Sequence, residues 1–333
     1  MTSPAAAAPA ATDLGGVPST PWIGPQGQRM ARLELHLTYT CPERCVFCSE
    51  EHRMQRFHPY PVTAGRAARV LREHRERGVE AVHLTGGEPT IHPDFLMVVA
   101  LAKKLGMRTS IGTIGTRLAN ADFAAAAMPH LDDVLFSLHG PDAETHDALT
   151  RVPGSFRKLL RAVANARHKP GFRPSFNTVV TAANLPRLPE LAALVAAEGA
   201  ALWILSNLTP EGAGEDHYAA LTARLAALGE VAPRLVAGAP DTIVRFFGTP
   251  ACVLPPALRM HSNDLHWNPR VTVEWAAEPG KVVLDGIYSW TPERKRRHGE
   301  ACAGCAWNQL CPGAFGAYLD QFGEAELRPL EAA

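Results

Sequence analysis

The sequence has neither an excess of charge of one sign nor a long hydrophobic run. Its 333 residues include 33 Lys and Arg and 33 Asp and Glu, so the net charge is zero with histidine neutral. Such a chain has no overall field to attract nucleic acid or an anionic lipid surface, which argues against both as partners. Because no stretch reaches 18 apolar residues, the sequence also predicts no membrane-spanning helix.

Signals for export and for several common enzyme classes are also missing. Residues 1–28 are rich in Ala, Pro and Gly and lack the basic start of a secretory signal, so we expect a disordered tail and a cytoplasmic protein. There is no Walker loop and no G-x-S-x-G motif, and none of the 14 histidines stands in an H-E-x-x-H pattern. Since disulfides are rare in the cytoplasm, the seven cysteines are expected to bind metal or take part in catalysis.

Strand-like and helix-like segments alternate from Arg32 onward. Apolar runs of strand length lie near 32–37, 80–85, 108–113, 133–138, 174–180 and 201–208, and segments with helical periodicity lie at 63–77, 94–105, 119–127, 156–168, 188–198 and 216–229. Six such units predict an α/β fold with a parallel sheet and outer helices. Because the pattern changes after about residue 240, we expect a partial (β/α)6 TIM-like barrel over 29–240, with its chemistry at the carboxyl ends of the strands.

Residues 241–333 are expected to form a smaller second domain. Two strand-like runs flank Pro279-Gly280 and predict a β-hairpin, which a group of cysteines follows. The basic run at 294–298 precedes these cysteines, and such runs are typical of solvated connectors.

Three cysteines follow the first predicted strand directly. Cys41, Cys45 and Cys48 have the spacing C-x3-C-x2-C, at which thiolates can converge on one soft metal centre. A structural zinc ion prefers four protein ligands, whereas an iron–sulfur cluster with three thiolates keeps one iron open for another ligand. The spacing therefore favours an open iron–sulfur cluster, with a zinc site or buried thiols as the alternatives.

With Phe47 as the aromatic residue, this motif resembles the C-x3-C-x-aromatic-C motif of the radical S-adenosylmethionine (SAM) superfamily. The resemblance covers roughly residues 32–210. It implies that Cys41, Cys45 and Cys48 bind a [4Fe–4S] cluster and that SAM chelates the open iron. It further implies that an electron from the cluster cleaves SAM to a 5′-deoxyadenosyl radical, which abstracts hydrogen from a substrate.

A second motif, Thr85-Gly86-Gly87-Glu88-Pro89, ends the second predicted strand. Glycines let a backbone edge approach a ligand closely, and a carboxylate can receive an ammonium group. An ordinary strand–helix turn would explain Gly-Gly-Glu-Pro equally well. Its place one β/α unit after the cysteines is that of the family's SAM-amino motif, so the resemblance implies that Gly86, Gly87 and Glu88 bind SAM.

A third match extends the resemblance to the SPASM/twitch branch of the family. Residues 136–141, 146–147, 151 and 154–156 resemble the pattern S-x-D-G-P…H-D…R…G-S-F, with His139 in place of the aspartate. The resemblance implies that Ser137 and Arg151 contact the SAM carboxylate and ribose. It also implies that Asn177 and Leu205 line the ribose and adenine. The alternatives are a surface ion pair for Arg151 and a core position for Leu205.

The remaining cysteines are Cys252, Cys302, Cys305 and Cys311. The last three match the start of the SPASM pattern, whose final cysteine is replaced by Phe315. One cysteine before a hairpin and three after it resembles the twitch domain, which implies a second, auxiliary [4Fe–4S] cluster with four ligands. A structural zinc site would use the same four thiolates, and a cluster with three ligands would leave Cys252 free.

Taken together, the motifs predict a radical SAM enzyme with one auxiliary cluster. The branch resemblance implies a peptide or small natural-product substrate, net oxidation, and an electron donor such as flavodoxin or ferredoxin. An RNA-modifying enzyme is disfavoured because the chain has no basic surplus. A non-catalytic iron–sulfur or zinc redox protein would not need the Gly-Gly-Glu-Pro turn. The sequence names no catalytic acid, base or hydrogen donor.

Overall fold

The computed structural model describes residues 29–58, 62–278, 281–289 and 295–331. The predicted tail at 1–28 and the predicted hairpin turn at Pro279-Gly280 lie outside the described residues.

Nine strands of the described chain form one sheet in the order β7-β6-β5-β4-β3-β2-β1-β8-β9. Strands β1 to β8 run parallel to their neighbours, and β9 pairs antiparallel with β8. The strands are β1 (Arg32–Thr38), β2 (Ala81–Gly86), β3 (Arg108–Thr113), β4 (Asp133–Ser137), β5 (Ser175–Val180), β6 (Leu202–Asn207), β7 (Ile243–Phe247), β8 (Arg270–Glu278) and β9 (Lys281–Ser289). The first six coincide with the predicted strands to within about two residues, a difference that is ordinary at strand ends.

Five of the six predicted helices are present, the sixth needs a correction, and four helices of four to eight residues were not predicted. They are α1 (Glu51–Phe57), α2 (Ala64–Glu76), α3 (Phe95–Lys104), α4 (Ala121–Ala127), α5 (Ala143–Thr150), α6 (Ser155–Ala166), α7 (Leu188–Ala197), α8 (Ala213–Asp216), α9 (Tyr218–Leu221), α10 (Leu225–Gly238) and α11 (Gly316–Phe322). The helix predicted at 216–229 is divided between α9 and α10, because residues 222–224 leave the helical conformation. Among the described residues, no helix has the length and hydrophobicity that crossing a membrane requires.

The sheet continues past residue 240, where the sequence predicted that the barrel would end. Strand β7 pairs with β6, and β8 pairs with β1, the edge strand that a six-stranded sheet would leave open. The alternation of strands and helices is lost between β7 and β8 because three 3-10 helices, Ala251–Val253, Pro256–His261 and Asn263–His266, take the place of an α-helix. The barrel sheet is therefore larger than predicted, while the domain boundary at 240 stays a prediction.

The two faces of the sheet have different surroundings. Alternate residues of β5 and β6 are buried and partly exposed, as expected for strands with one covered face. The covered face packs on the helices through one large apolar core, which includes Leu35, Val82, Phe176 and Trp203. The opposite, inner face is more polar and carries the side chains of the candidate site.

The end of the chain packs against the barrel through a second apolar cluster. Strands β10 (Arg296–Arg297) and β11 (Ala314–Phe315) form a short antiparallel pair, which α11 follows. Phe315 and Tyr318 from this region join Phe47 and Leu208 in one buried cluster. The C-terminal cysteines are thereby held close to the loop that carries the first three.

Candidate functional site

Cys41, Cys45 and Cys48 lie on the loop between β1 and α1, here called the cysteine loop (residues 39–50). All three are free thiols and partly exposed. Burial raises the pKa of Cys48 to about 11 and also raises the pKa values of Cys41 and Cys45, and neighbouring negative groups add to the effect. Thiolates at these positions need a cation beside them, so the three thiols fit a soft iron centre.

The first anchor of the cysteine loop is the end of α5. The backbone N–H of Arg44 donates to the Thr150 carbonyl at 3.1 Å, and that of Val46 donates to the Leu149 carbonyl at 2.9 Å. Arg151 follows directly, exposed and in the left-handed conformation with φ of 58°. The structure thus brings Arg151 next to the segment that anchors the cysteine loop.

The second anchor is the glycine motif that ends β2. Gly87 N–H donates to the Thr38 carbonyl at 2.6 Å, and Glu88 N–H donates to the Thr40 carbonyl at 2.9 Å. A Cβ on Gly86 or Gly87 would overlap the carbonyl oxygen of Thr38 or Thr40. These glycines therefore allow two backbone segments to meet, a structural need apart from any approach to a ligand.

The Glu88 side chain is fully buried and already has partners within the chain. Its carboxylate accepts hydrogen bonds from Thr113 Oγ1 at 2.8 and 2.9 Å, from Ile114 N at 2.8 Å, from Thr90 N at 3.1 Å and from Thr90 Oγ1. Burial raises the pKa of Glu88, and these donors only partly offset the rise. Glu88 joins β2 to the end of β3, and its predicted bond to an ammonium group stays a prediction.

The third anchor, which the sequence analysis did not identify, is the start of α8 with the glycine that precedes it. Ala213 N–H donates to the Cys48 carbonyl at 2.9 Å. Gly212 has φ of +55°, and a Cβ there would overlap the same carbonyl oxygen. The only sequence signal was the pair of glycines at 212 and 214 after the sixth strand.

Ser137 and Asn177 share the inner face of the sheet, but Leu205 does not. Ser137 and Asn177 are paired in register across β4 and β5, and Ser206 Oγ on β6 donates to Asn177 Oδ1 at 2.6 Å. Leu205 is fully buried in the helix-covered core. The structure thus gives Leu205 the core position that was its alternative, because side chains alternate along a strand and Ser206 takes the inner face, and its contact with the adenine stays a prediction.

Phe47 packs against His139, the residue that replaces the aspartate of the family pattern. The ring centroids of Phe47 and His139 are 4.6 Å apart in an edge-on arrangement. The His146 ring stacks on the His139 ring, with their centroids 5.7 Å apart. Val179 N–H donates to His139 Nδ1 at 3.2 Å. Burial, together with His146, holds the pKa of His139 well below its usual range. The position therefore carries a neutral ring where an aspartate would bring charge.

A charged network that the sequence did not predict lies on the inner face beside the cysteine loop. His36 Nδ1 is 3.0 Å from the Tyr39 hydroxyl. The carboxylate oxygens of Glu34, Glu50 and Glu274 lie 3.8, 3.5 and 3.9 Å, respectively, from the nearest ring nitrogen of His36. Arg53 from α1 pairs with Glu274 at 3.1 Å. Burial lowers the pKa of His36, but the carboxylates raise it overall. The network joins three chain segments, residues 34–39, residues 50–53 and Glu274, so no single local pattern could indicate it.

The four remaining cysteines line one cavity at the C-terminal end of the chain. Apolar walls are provided by Pro250, Trp307, Leu327, Pro329 and Leu330. Burial raises the pKa of Cys252 and Cys311. Within the described ranges, no three His, Cys, Asp or Glu side chains are arranged to hold a single metal ion. Four thiols around one cavity nevertheless suit a polynuclear centre, which spreads its ligands more widely than one ion.

Two backbone groups donate to the sulfur atoms of this cavity. Gly313 N–H is 3.4 Å from Cys311 Sγ, and Leu330 N–H is 3.3 Å from Cys305 Sγ. Such donors stabilise thiolates, and hydrogen bonds to sulfur are one of the features that set cluster potentials. Cys45 of the first set and Cys302 of the second both pack on the apolar cluster that contains Phe315.

Comparison with known proteins agrees with this geometry. Residues 35–190 match the model of the Radical SAM superfamily. The mycofactocin maturase MftC of Mycolicibacterium smegmatis is 33% identical over 184 residues, 55% of this chain and 46% of that protein. The PqqA peptide cyclase of Gluconobacter oxydans is 32% identical over 166 residues, 49% of this chain and 45% of that protein. The chain spans about half the length of these curated relatives.

The fold also matches a solved structure over most of its length. The crystal structure of Streptococcus suis SuiB bound to S-adenosylmethionine has a TM-score of 0.60 and 17% sequence identity, and the match covers 91% of this chain and 76% of that one. At 17% sequence identity, this similarity supports the fold alone. The cysteine loop and its glycine anchor both lie within residues 35–190, so this part of the chain is a radical SAM domain.

Proposed function

We propose that this protein is a radical SAM enzyme that modifies a peptide, with net oxidation assisted by an auxiliary [4Fe–4S] cluster. The observation that carries the proposal is the division of the seven cysteines. Three lie on a loop anchored by the glycine motif, and four line one separate cavity. A non-catalytic redox protein would not need the first arrangement beside a polar inner face.

Cys41, Cys45 and Cys48 would hold the [4Fe–4S] cluster that the family uses with SAM. When bound, that pair supplies a 5′-deoxyadenosyl radical. The chain itself provides the surroundings. Phe47 offers an aromatic surface, and the anchors at Thr150 and Gly87 fix the loop that carries the thiols.

The inner face would orient the bound SAM. Ser137 and Asn177 present a hydroxyl and an amide on adjacent strands, and Ser206 fixes the Asn177 amide through its hydrogen bond. Arg151 would add a cation for a carboxylate, since its guanidinium is exposed next to the anchored loop. Glu88 would act at least as the residue that holds the glycine turn to β3.

Cys252, Cys302, Cys305 and Cys311 would hold the auxiliary cluster. The cavity groups all four thiols, which supports four ligands over the arrangement with Cys252 free. Four protein ligands would keep the substrate off the iron, so the centre would exchange electrons without binding the substrate. Zinc would accept the same ligand set, which makes metal analysis decisive.

A peptide is the substrate class that the relatives support best. The PqqA peptide cyclase carries such a substrate in its name, and the radical SAM domain is the part that this chain shares with it. The first cluster would be reduced by flavodoxin or ferredoxin. A reducing compartment such as the cytoplasm suits seven free cysteines.

The function is tested with anaerobically reconstituted, dithionite-reduced protein and SAM. We expect release of 5′-deoxyadenosine, and its loss when Cys41, Cys45 and Cys48 are changed together to Ala. With short peptides encoded next to the gene, mass spectrometry should detect a product that lacks two hydrogens. Reduced protein that holds iron but forms no 5′-deoxyadenosine would contradict the proposal.

A further inference from the structure

A buried ion pair lies beside the cavity of the four cysteines. Arg296 Nη1 and Nη2 contact Asp264 Oδ2 and Oδ1 at 2.5 and 3.0 Å. The Arg296 side chain is 0% exposed and that of Asp264 is 2% exposed. The guanidinium carbon lies 5.1 Å from the ring centroid of Phe247 and 5.4 Å from that of Phe315. Arg296 belongs to the basic run expected to be a solvated connector, so that expectation is wrong at this position.

The pair is built into the wall that carries Cys311. Arg296 in β10 is paired in register with Phe315 in β11, and the segment from Cys311 to Gly313 leads into β11. Two residues after Arg296, His298 Nε2 contacts the Cys311 carbonyl at 2.6 Å. The ring of Phe315, over which the Arg296 guanidinium lies, belongs to the apolar cluster on which Cys252 and Cys302 pack. The pair therefore lies behind the wall that carries these cysteines.

Stability alone gives no sufficient reason for this ion pair. The desolvation of two buried charges is costly, and apolar residues of similar volume often serve as well or better. Arg296 Nε also has no hydrogen-bond partner in the part of the chain that the structure describes, which adds to the cost. The adjacent Arg297 instead pairs with Asp320 at the surface, where an ion pair costs little desolvation.

We propose that the Asp264–Arg296 pair sets the reduction potential of the centre held by Cys252, Cys302, Cys305 and Cys311. This inference rests on the proposed function, since it assumes that the centre is an iron–sulfur cluster. One-electron reduction adds negative charge to such a centre. A nearby carboxylate therefore lowers the potential and a nearby guanidinium raises it, and both effects are strong where water is excluded.

The Asp264 carboxylate therefore holds the potential below the value that a neutral residue at this position would give. A lowered potential would keep the cluster oxidised against cellular reductants. The cluster would then be ready to take one electron from a strongly reducing substrate radical, which loses a proton to solvent as it becomes the oxidised product. Asp264 and Arg296 are thus positioning charges and do not touch the substrate.

The experiment uses the full chain in which Cys41, Cys45 and Cys48 are changed to Ala, so that only the auxiliary centre titrates. Asp264→Asn removes the negative charge and keeps an oxygen that can accept from Arg296. Asp320→Asn makes the same change in the exposed pair of the neighbouring arginine. Midpoint potentials are measured by redox titration with electron paramagnetic resonance, and iron content is determined in parallel.

We expect Asp264→Asn to shift the midpoint to a less negative value and Asp320→Asn to leave it unchanged. A tenfold change in the ratio of reduced to oxidised centre equals about 59 mV for one electron, and the shift should be of this order. An unchanged midpoint in Asp264→Asn at full iron content would overturn the inference.

A second neutral variant, Asp264→Ser, guards against a failure of Asp264→Asn to assemble. Loss of iron in both variants would also overturn the inference, because the pair would then be a structural requirement. Absence of iron from the parent variant with three Ala substitutions would instead refute the auxiliary cluster itself. The two failures are therefore distinguishable.

Discussion

Gly212 lies so close to Cys48 that the cysteine loop leaves no room for a side chain at residue 212. A Cβ there would overlap the Cys48 carbonyl oxygen, which also accepts the Ala213 N–H at 2.9 Å. The segment after β6 thus fixes the backbone of a predicted cluster ligand 164 residues earlier in the chain. The position of Cys48 depends on this contact as well as on the cysteine spacing.

We expect Gly212→Ala to impair the first metal site specifically. The added methyl group must push the Cys48 carbonyl away, so reconstituted protein should lose iron from the first site and release less 5′-deoxyadenosine. Gly199→Ala is the matched control, because Gly199 has the same φ of +55° but no atom within 4 Å of an added Cβ. Equal iron loss in both variants would assign the effect to backbone strain instead of the contact with Cys48.

The cysteine division predicts two clusters with separate functions. Carefully reconstituted protein should contain about eight iron atoms per chain if both sites hold four-iron clusters, and the three Ala substitutions in the cysteine loop should leave about half. Cys302→Ala with Cys305→Ala should still release 5′-deoxyadenosine but form little oxidised product. Its control is solubility and retention of the first cluster, since a metal site often keeps its small domain folded.

Zinc at the second site would contradict the auxiliary cluster. Normal product formation by the variant with Cys302 and Cys305 replaced would show that the second site only stabilises the fold. A redox-neutral reaction would then be the better interpretation.

The contacts of Glu88 separate two explanations of its importance. Glu88→Ala should weaken SAM binding by on the order of 2–5 kcal/mol if the carboxylate pairs with the SAM ammonium, with little change in iron content. Thr113→Val keeps the carboxylate but removes one of its buried donors, so it should lower the free energy of unfolding by about 1–3 kcal/mol. Calorimetric titration with SAM and urea unfolding measure the two effects.

The direct bond predicts a much greater loss of SAM affinity in Glu88→Ala than in Thr113→Val. If the two variants lose the same affinity, Glu88 acts on SAM only by holding the glycine turn against β3.

His74 predicts a loss of stability in acid. Burial lowers the pKa of His74 to about 4, while its Nδ1 contacts the Val70 carbonyl at 2.8 Å. Between pH 6.5 and about 4 the unfolded chain binds a proton that the folded chain does not, so stability falls with falling pH by about 1.4 kcal/mol per pH unit for this group. Urea unfolding at pH 7.5, 6 and 5 should give a smaller dependence on pH for His74→Gln than for the wild type. His168→Gln, at an exposed histidine, should keep the wild-type dependence.

Local patterns in the sequence determined the class of fold and indicated the predicted first metal site. The first six strands and most of the helices between them follow from hydrophobic periodicity, which acts within a few residues. The cysteine motif and the glycine turn also lie within short segments, so their spacing alone indicated the family that residues 35–190 match. Hydrophobic periodicity did not indicate that β7 and β8 join the sheet, because 3-10 helices replace the expected crossover helix and the alternation of strands and helices disappears.

Only the tertiary structure decided which distant residues meet. It grouped Cys252 with three cysteines 50 or more residues away, buried Arg296 of a basic run against Asp264, and turned Leu205 to the core side of β6. Each outcome depends on contacts between segments far apart in the chain, and neither composition nor spacing encodes these contacts locally. A strand's alternation leaves two choices of face, and a buried charge needs a partner from elsewhere, so packing of the whole chain settles both.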